Sequence, residues 1–142
     1  MGETPREMQP APTPRYRPST VAEAYERIQR STTPWVAIGD FLDDWRRTSP
    51  AERPSLVAQR PNGDADTAEL RRWVAFCAAM VEWLCWNAGL PFPGWTTAPE
   101  YVLPDPWFLY PGWRLRAWQL MTTPAPFKMR NIFGGDHILD RV

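Results

Sequence analysis

The chain has few of the side chains that metal sites and nucleophilic enzymes use. Among its 142 residues are one histidine, His137, and two cysteines, Cys77 and Cys85. A structural zinc site uses about four ligands, and these cysteines form no Cys-x-x-Cys pair. A catalytic histidine would need a nucleophile and a cleft, and neither is identifiable for His137. We therefore expect no catalytic residues, no metal and no cofactor, and a surface or capping role for His137.

The sequence also lacks a disulfide framework, a signal peptide and a bilayer-spanning run. Cys77 and Cys85 lie eight residues apart in one predicted helix, a rise of about 12 Å, whereas a disulfide needs Cα atoms roughly 4.4–6.8 Å apart. Free thiols suit a reducing compartment. The most apolar stretch, 73–88, is shorter than the ~20 residues that cross a bilayer. We expect a cytoplasmic protein with no membrane segment.

Net charge is absent as well, because Lys plus Arg and Asp plus Glu each number 16. No overall field therefore favours nucleic acid or an anionic membrane. Tryptophan, in contrast, is abundant, with nine residues. Each tryptophan can bury roughly 150–250 Å². Most of them are expected in the core, and a few could line a binding surface.

The N-terminal part of the chain predicts a leader and two helices. Residues 1–18 contain five prolines and little that could be buried, which predicts a disordered leader before one helical domain over 19–142. A capping box predicts a first helix over about 21–30. A second helix is predicted from Pro34, with Thr33 as its N-cap, to about residue 48.

The strongest prediction is a central helix over about residues 67–88. Asp66 is expected to cap its start and Gly89 to take the left-handed conformation at its end. Apolar residues cover almost its whole circumference, which is typical of a helix surrounded by others. Four of its side chains are expected to be buried: Trp73, Cys77, Met80 and Leu84.

Proline density sets the prediction for the C-terminal part. Six prolines lie within 90–112, which argues against a sheet interior or a long helix and indicates an extended wrap. Short helices are predicted over about 113–121 and 124–131. The predicted fold class is therefore all-α: a small helical domain around one central apolar helix.

An acidic cluster is the main sign of enzymatic chemistry. Asp40, Asp43 and Asp44 could bind Mg²⁺ beside a phosphate, as in a small helical metal-dependent hydrolase or transferase. However, they lie opposite the apolar stripe of the second helix, and no second acidic helix completes a site. A solvated helix face is the simpler interpretation. The same acids argue against this helix as a DNA-recognition helix.

A basic and aromatic stretch lies between Asp105 and Asp136, where no acidic residue occurs. Arginine with aromatic side chains is the chemistry of protein hot spots and of nucleic-acid stacking. The competing interpretations are core-facing aromatic rings with solvated arginines between them, and arginine and asparagine side chains that tie down the wrap through backbone carbonyls. The candidate partner-binding residues are Arg114, Arg116, Phe127, Lys128, Arg130, Asn131 and Phe133.

The second half of the chain carries a series of motifs. They are Leu90-Pro91-Phe92-Pro93-Gly94-Trp95, Tyr101-Val102-Leu103-Pro104-Asp105-Pro106-Trp107-Phe108, Leu115-Arg116-Ala117, Thr123-Pro124-Ala125-Pro126-Phe127-Lys128-Met129-Arg130-Asn131-Ile132-Phe133 and Leu139-Asp140-Arg141-Val142. In these motifs the chain resembles a widespread group of small bacterial proteins of unassigned activity. Some of those carry an N-terminal helix-turn-helix, which this chain lacks. Gly134-Gly135-Asp136 has no interpretation within that pattern.

The resemblance implies an antitoxin-like partner of a nucleotidyltransferase-type toxin. The predicted function is thus a non-enzymatic interaction module that binds and masks such an enzyme. The alternatives are a nucleic-acid-binding module that uses the same basic and aromatic residues, and the metal-dependent enzyme built on Asp40, Asp43 and Asp44.

Overall fold

A computed structural model describes residues 16–62 and 65–140. Within them the fold is all-α, as predicted. The helices are α1 (Val21–Gln29), α2 (Pro34–Arg47), α3 (Arg53–Val57), α4 (Ala68–Ala88), α5 (Arg116–Thr122) and α6 (Ala125–Lys128). The other elements are 3-10 turns at Gly94–Thr97, Pro99–Tyr101 and Trp113–Leu115, and the two-residue strands β1 (Trp107–Phe108) and β2 (Ile132–Phe133).

The N-terminal helices form where the capping signals predict them. Thr20 and Glu23 make both hydrogen bonds of a capping box at the start of α1. Pro34 opens α2, but the Thr33 side chain makes no cap hydrogen bond there. Of the predicted leader, residues 1–15 lie outside the described residues. The Tyr16 hydroxyl donates a hydrogen bond to Asp44 of α2.

The central helix α4 is confirmed, with one correction at its start. Thr67, not Asp66, is the N-cap, because its side-chain oxygen accepts a hydrogen bond from the Leu70 amide at 3.1 Å. Gly89 ends the helix with φ +68°, a conformation in which glycine has no Cβ penalty.

Burial along α4 follows the apolar pattern. Trp73, Cys77 and Met80 are buried as predicted, whereas Leu84 is only half-buried, so that part of the prediction was wrong. Leu84 lies near the C-terminal end of α4, where fewer neighbouring elements cover the helix. No helix of the described residues is both long and apolar enough to cross a membrane.

Aromatic rings join α4 to the rest of the domain. Phe76 is fully buried, and its ring centroid lies 5.5 Å from Trp35, 5.4 Å from Trp73, 6.3 Å from Trp107 and 5.2 Å from Phe127. These neighbours come from α2, α4, β1 and α6. One phenylalanine of the central helix therefore connects the N-terminal and C-terminal parts of the chain.

The proline-rich wrap is more structured than the sequence predicts. Two 3-10 turns interrupt it, and β1 pairs in parallel with β2. The Trp107 amide donates to the Asn131 carbonyl at 2.8 Å, and the Leu109 amide donates to the Phe133 carbonyl at 2.9 Å. Strands of two residues are too short for a period-two pattern to appear in the sequence. The pairing places the end of the wrap beside α5 and α6.

Candidate functional site

Arg130, a predicted partner-binding residue, lies in the interior and is only 4% exposed. Its guanidinium makes two hydrogen bonds to the Glu82 carboxylate of α4, at 3.1 and 2.9 Å. It also donates to the carbonyls of Pro126 at 2.8 Å and Thr96 at 2.6 Å. Arg130 therefore ties together α4, α6 and the first 3-10 turn of the wrap.

Two other predicted partner-binding residues also serve the interior. Phe127 is fully buried. Asn131 has φ +64° and donates its side-chain amide to the Leu103 carbonyl at 2.7 Å. A buried side chain cannot reach a partner while the domain is folded, so for Phe127 and Arg130 the expected contact role is corrected. The geometry of Arg130 and Asn131 matches the competing interpretation, in which both tie down the wrap.

The remaining predicted residues belong to a solvent-facing region around α5. We define the α5 face as the large apolar side chains of this region that are exposed together with its cations: Trp113, Leu115, Leu120, Met121, Arg114, Arg116 and Lys128. Trp113 and Met121 are each 78% exposed, the highest values among the exposed large hydrophobic residues. Arg114 and Arg116 are exposed and Lys128 is partly exposed.

Two cations of the α5 face, Arg116 and Lys128, contact neighbouring groups of the domain. The Arg116 guanidinium lies 4.9 Å from the centre of the Phe108 ring. Phe108 in turn stacks on Phe133, with 5.1 Å between ring centroids. Phe133 therefore contacts the ring against which Arg116 lies. Lys128 Nζ donates to the Met121 carbonyl at 3.1 Å. The structure thus brings Arg116, Lys128 and Phe133 of the predicted site together around α5.

A buried polar network fixes α5 to the domain. Gln119 is fully buried; its side chain accepts from the Tyr110 amide and donates to the Tyr110 carbonyl, each at 3.1 Å. Thr123 accepts from the Gly134 and Gly135 amides at 3.0 and 2.8 Å. Because these residues face inward, the opposite side of α5 is held rigidly toward solvent.

Gly134 and Gly135 make this docking sterically possible. Gly135 has φ +82°, and a Cβ built there would lie 2.2 Å from the Trp118 ring. Its conformation and the space around it both require glycine. The glycine pair, which the sequence left without an interpretation, therefore allows the chain to pass beneath α5.

The acidic cluster of α2 is not a uniformly solvated face. Asp44 is buried and accepts hydrogen bonds from the Tyr16 hydroxyl, from the Ser19 amide at 2.9 Å and from the Ser19 hydroxyl at 2.8 Å. Burial alone would raise the pKa of Asp44, but the hydrogen bonds from Tyr16 and Ser19 outweigh it and hold the pKa below its ordinary value. Asp44 anchors the segment that precedes α1.

We expect Asp44→Asn to lower stability at neutral pH by about 1–3 kcal/mol, since hydrogen bonds to a buried charged acceptor are weakened. A lowered folded pKa gives stability that is present above the unfolded pKa of about 4 and is lost as pH falls through the folded value. Denaturant titrations from neutral to acidic pH should therefore converge for the two proteins. A constant gap between them at every pH would contradict the assignment.

The other acids of the cluster are already engaged. Asp40 accepts from Arg27 at 3.0 Å, and an Asp43 oxygen lies 3.8 Å from an Arg46 nitrogen. His137 lies on the surface, where the hydrogen bond between its ring and the accepting Asp140 carboxylate, and then the charge of Asp136, raise its pKa. Across residues 16–62 and 65–140, no three His, Cys, Asp or Glu side chains come together as a metal site would require.

The two thiols are buried and unreactive at neutral pH. Burial raises the pKa of Cys77 to about 12, and burial together with the charge of Glu82 raises the pKa of Cys85 to about 11. The thiolate is the nucleophilic form of cysteine. Neither residue can therefore supply a nucleophile in this environment.

Sequence reasoning missed Leu120 and Met121 as part of the site. The helix over 113–121 was predicted, but Leu120 and Met121 were not among the candidate partner-binding residues. Their spacing relative to Trp113 places all three on one side of a helix, and Gln119 on the other. The sequence did contain one signal, the polar Gln119. Had Gln119 been assigned to the buried side of the helix, Leu120 and Met121 would have been expected on the exposed side.

Comparisons of the chain with known protein families, with curated proteins and with solved structures found no match. The site is therefore described by the geometry of its own residues. That geometry gives one exposed face on a rigidly held helix, and it engages the candidate catalytic acids in hydrogen bonds and ion pairs.

Proposed function

We propose that this protein is a non-enzymatic interaction module whose α5 face binds an acidic partner protein. One observation carries the proposal: the 3-10 turn Trp113–Leu115 and α5, which a buried polar network fixes to the domain, expose Trp113, Leu120 and Met121 to solvent. Single exposed apolar residues are ordinary, but a grouped set rimmed by charges is typical of a protein interface.

The composition of the α5 face favours a protein with acidic groups opposite it. Tryptophan and arginine are the residues most enriched among interface hot spots, and methionine is also enriched at interfaces. Arg114, Arg116 and Lys128 add positive charge to the α5 face, which suits a partner with carboxylates around an apolar patch. An interface of this kind has an apolar core and a polar rim.

The class of partner follows from the sequence resemblance. An antitoxin-like protein would use the α5 face to cover an acidic, metal-binding nucleotide pocket of a nucleotidyltransferase-like enzyme. Arginine presents a planar fork of donors that suits carboxylates. Under this proposal Arg114 and Arg116 replace Arg130 as the anchoring arginines, because Arg130 is occupied by Glu82.

Nucleic acid is the less favoured partner. The Glu82 carboxylate neutralises Arg130, so three of the four cations between Asp105 and Asp136 remain for phosphate contacts. Binding through a few phosphates weakens steeply with salt, whereas an apolar protein interface does not. We therefore expect the affinity for the partner to change little as the salt concentration rises. A steep fall in affinity with salt would favour a nucleic acid as the partner.

The interface assignment is tested by Trp113→Ala. A hot-spot tryptophan at an interface contributes about 2 kcal/mol or more, roughly a thirtyfold change in affinity. The unsubstituted chain, used as bait in an extract of the source organism, should capture an acidic protein. The Trp113→Ala variant, used in the same way, should lose that protein. The melting temperature should stay the same, because Trp113 is solvent-exposed.

Trp86→Ala is the matched control, since Trp86 is 68% exposed and lies on α4, away from the α5 face. The Trp86 variant should capture the same acidic protein as the unsubstituted chain. Equal capture by all three proteins, or equal loss from both variants, would contradict the proposed interface.

A further inference from the structure

A pocket between the segment after α3, the start of α4 and the second 3-10 turn contains two arginines that the proposed function does not use. It has a volume of about 270 Å³ and is lined by residues that include Arg60, Arg71, Val74, Glu100 and Tyr101. Arg60 follows α3, Arg71 lies in the first turns of α4, and Tyr101 ends the second 3-10 turn. Three separate parts of the fold thus meet at one concave site.

Tyr101 gives the pocket one wall. The residue is only 2% exposed, and its hydroxyl oxygen is enclosed by the protein rather than open to the pocket. The Arg60 guanidinium lies over the Tyr101 ring, 5.5 Å from its centre. Contact with this buried ring therefore holds Arg60 at the pocket.

The two arginines keep free donor capacity. Arg60 pairs with Glu100, but both side chains are more than half exposed, and exposed ion pairs contribute little to stability. Arg71 donates one long hydrogen bond, 3.4 Å, to the Ala65 carbonyl. Each guanidinium has five N–H donors. Both can therefore donate to a further acceptor without losing a strong existing contact.

We infer that this pocket binds a small anion through carboxylate or phosphate oxygens, with Arg60 and Arg71 as donors and Tyr101 as the wall. Two cations against one carboxylate give the lining an excess of positive charge. The volume lies below the roughly 300–1,000 Å³ of most drug-sized ligand sites, which favours a phosphate or a short carboxylate over a nucleotide. Val74 supplies an apolar side to the same pocket.

The inference is tested with inorganic phosphate and with acetate, each against chloride at the same ionic strength. Calorimetry should show saturable binding of one of these anions, and the melting temperature should rise with its concentration. Saturation by phosphate assigns a phosphate group, and saturation by acetate assigns a carboxylate. Failure of both to bind more tightly than chloride would overturn the inference.

Three variants separate a built site from general attraction by positive charge. Arg71→Ala should weaken binding by about tenfold or more, the effect of one charge-assisted hydrogen bond. Arg72→Ala removes the same charge from the next position, where the side chain faces Trp107, and should leave binding unchanged. Arg60→Ala should also weaken binding, because Arg60 is the second donor at the pocket. Equal losses in Arg71→Ala and Arg72→Ala, or unchanged binding by Arg60→Ala, would contradict the site.

Discussion

Arg130→Ala should destabilise the protein by about 3–5 kcal/mol, because it leaves the Glu82 carboxylate buried without a partner. The side chains of both residues are at most 6% exposed. The variant would also remove the donors to the Thr96 and Pro126 carbonyls. A thermal melt should fall by roughly 10 °C for a domain of this size.

Two further variants show whether the unpaired charge causes the loss. Arg130→Met combined with Glu82→Leu removes both charges and should recover much of the stability, since a buried ion pair is often replaceable by apolar side chains. Arg114→Ala removes an exposed arginine and should change stability by less than about 0.5 kcal/mol. An unchanged melt for Arg130→Ala would refute the structural role and return Arg130 to the interface.

Phe76→Ala should cost about 3–5 kcal/mol, the usual range for a fully buried phenylalanine. The ring contacts Trp35, Trp73, Trp107 and Phe127, and each aromatic pair adds to the simple loss of buried area. Near-ultraviolet circular dichroism should change along with the denaturant midpoint, because the tryptophans lose their fixed neighbour.

Leu84→Ala, on the same helix, is the control for helix propensity and general burial. Leu84 is half-buried, so Leu84→Ala should lower the free energy of unfolding by an amount at or below the lower end of the range for buried leucines, about 2–5 kcal/mol. If Leu84→Ala cost as much as Phe76→Ala, the aromatic cluster would not be the main connection between the two parts of the chain.

The helices could be predicted because their signals are local. Thr20 and Glu23 are three residues apart, and Gly89 directly follows the last apolar residues of α4. Apolar residues around almost the whole circumference of this 21-residue helix also identify α4 as central without any knowledge of its neighbours. Capping and periodicity together specify the all-α fold class.

The site was harder to predict because its determinants are distant in sequence. Arg130 and Glu82 form their hydrogen bond across 48 residues of sequence, and Ser19 and Asp44 form theirs across 25. An arginine beside aromatic residues has the same local pattern whether it faces a partner or a buried carboxylate. Only the tertiary fold decides which cations remain exposed on the α5 face.

The most direct test of the proposed interface is site-specific photocrosslinking in living cells of the source organism. A photoreactive side chain would replace Met121, which is 78% exposed on the α5 face, and in a second protein Trp86 of α4. The interface predicts one discrete adduct with an acidic protein from position 121 and none from position 86. No adduct from position 121, or the same adduct from both positions, would contradict a binding role for the α5 face.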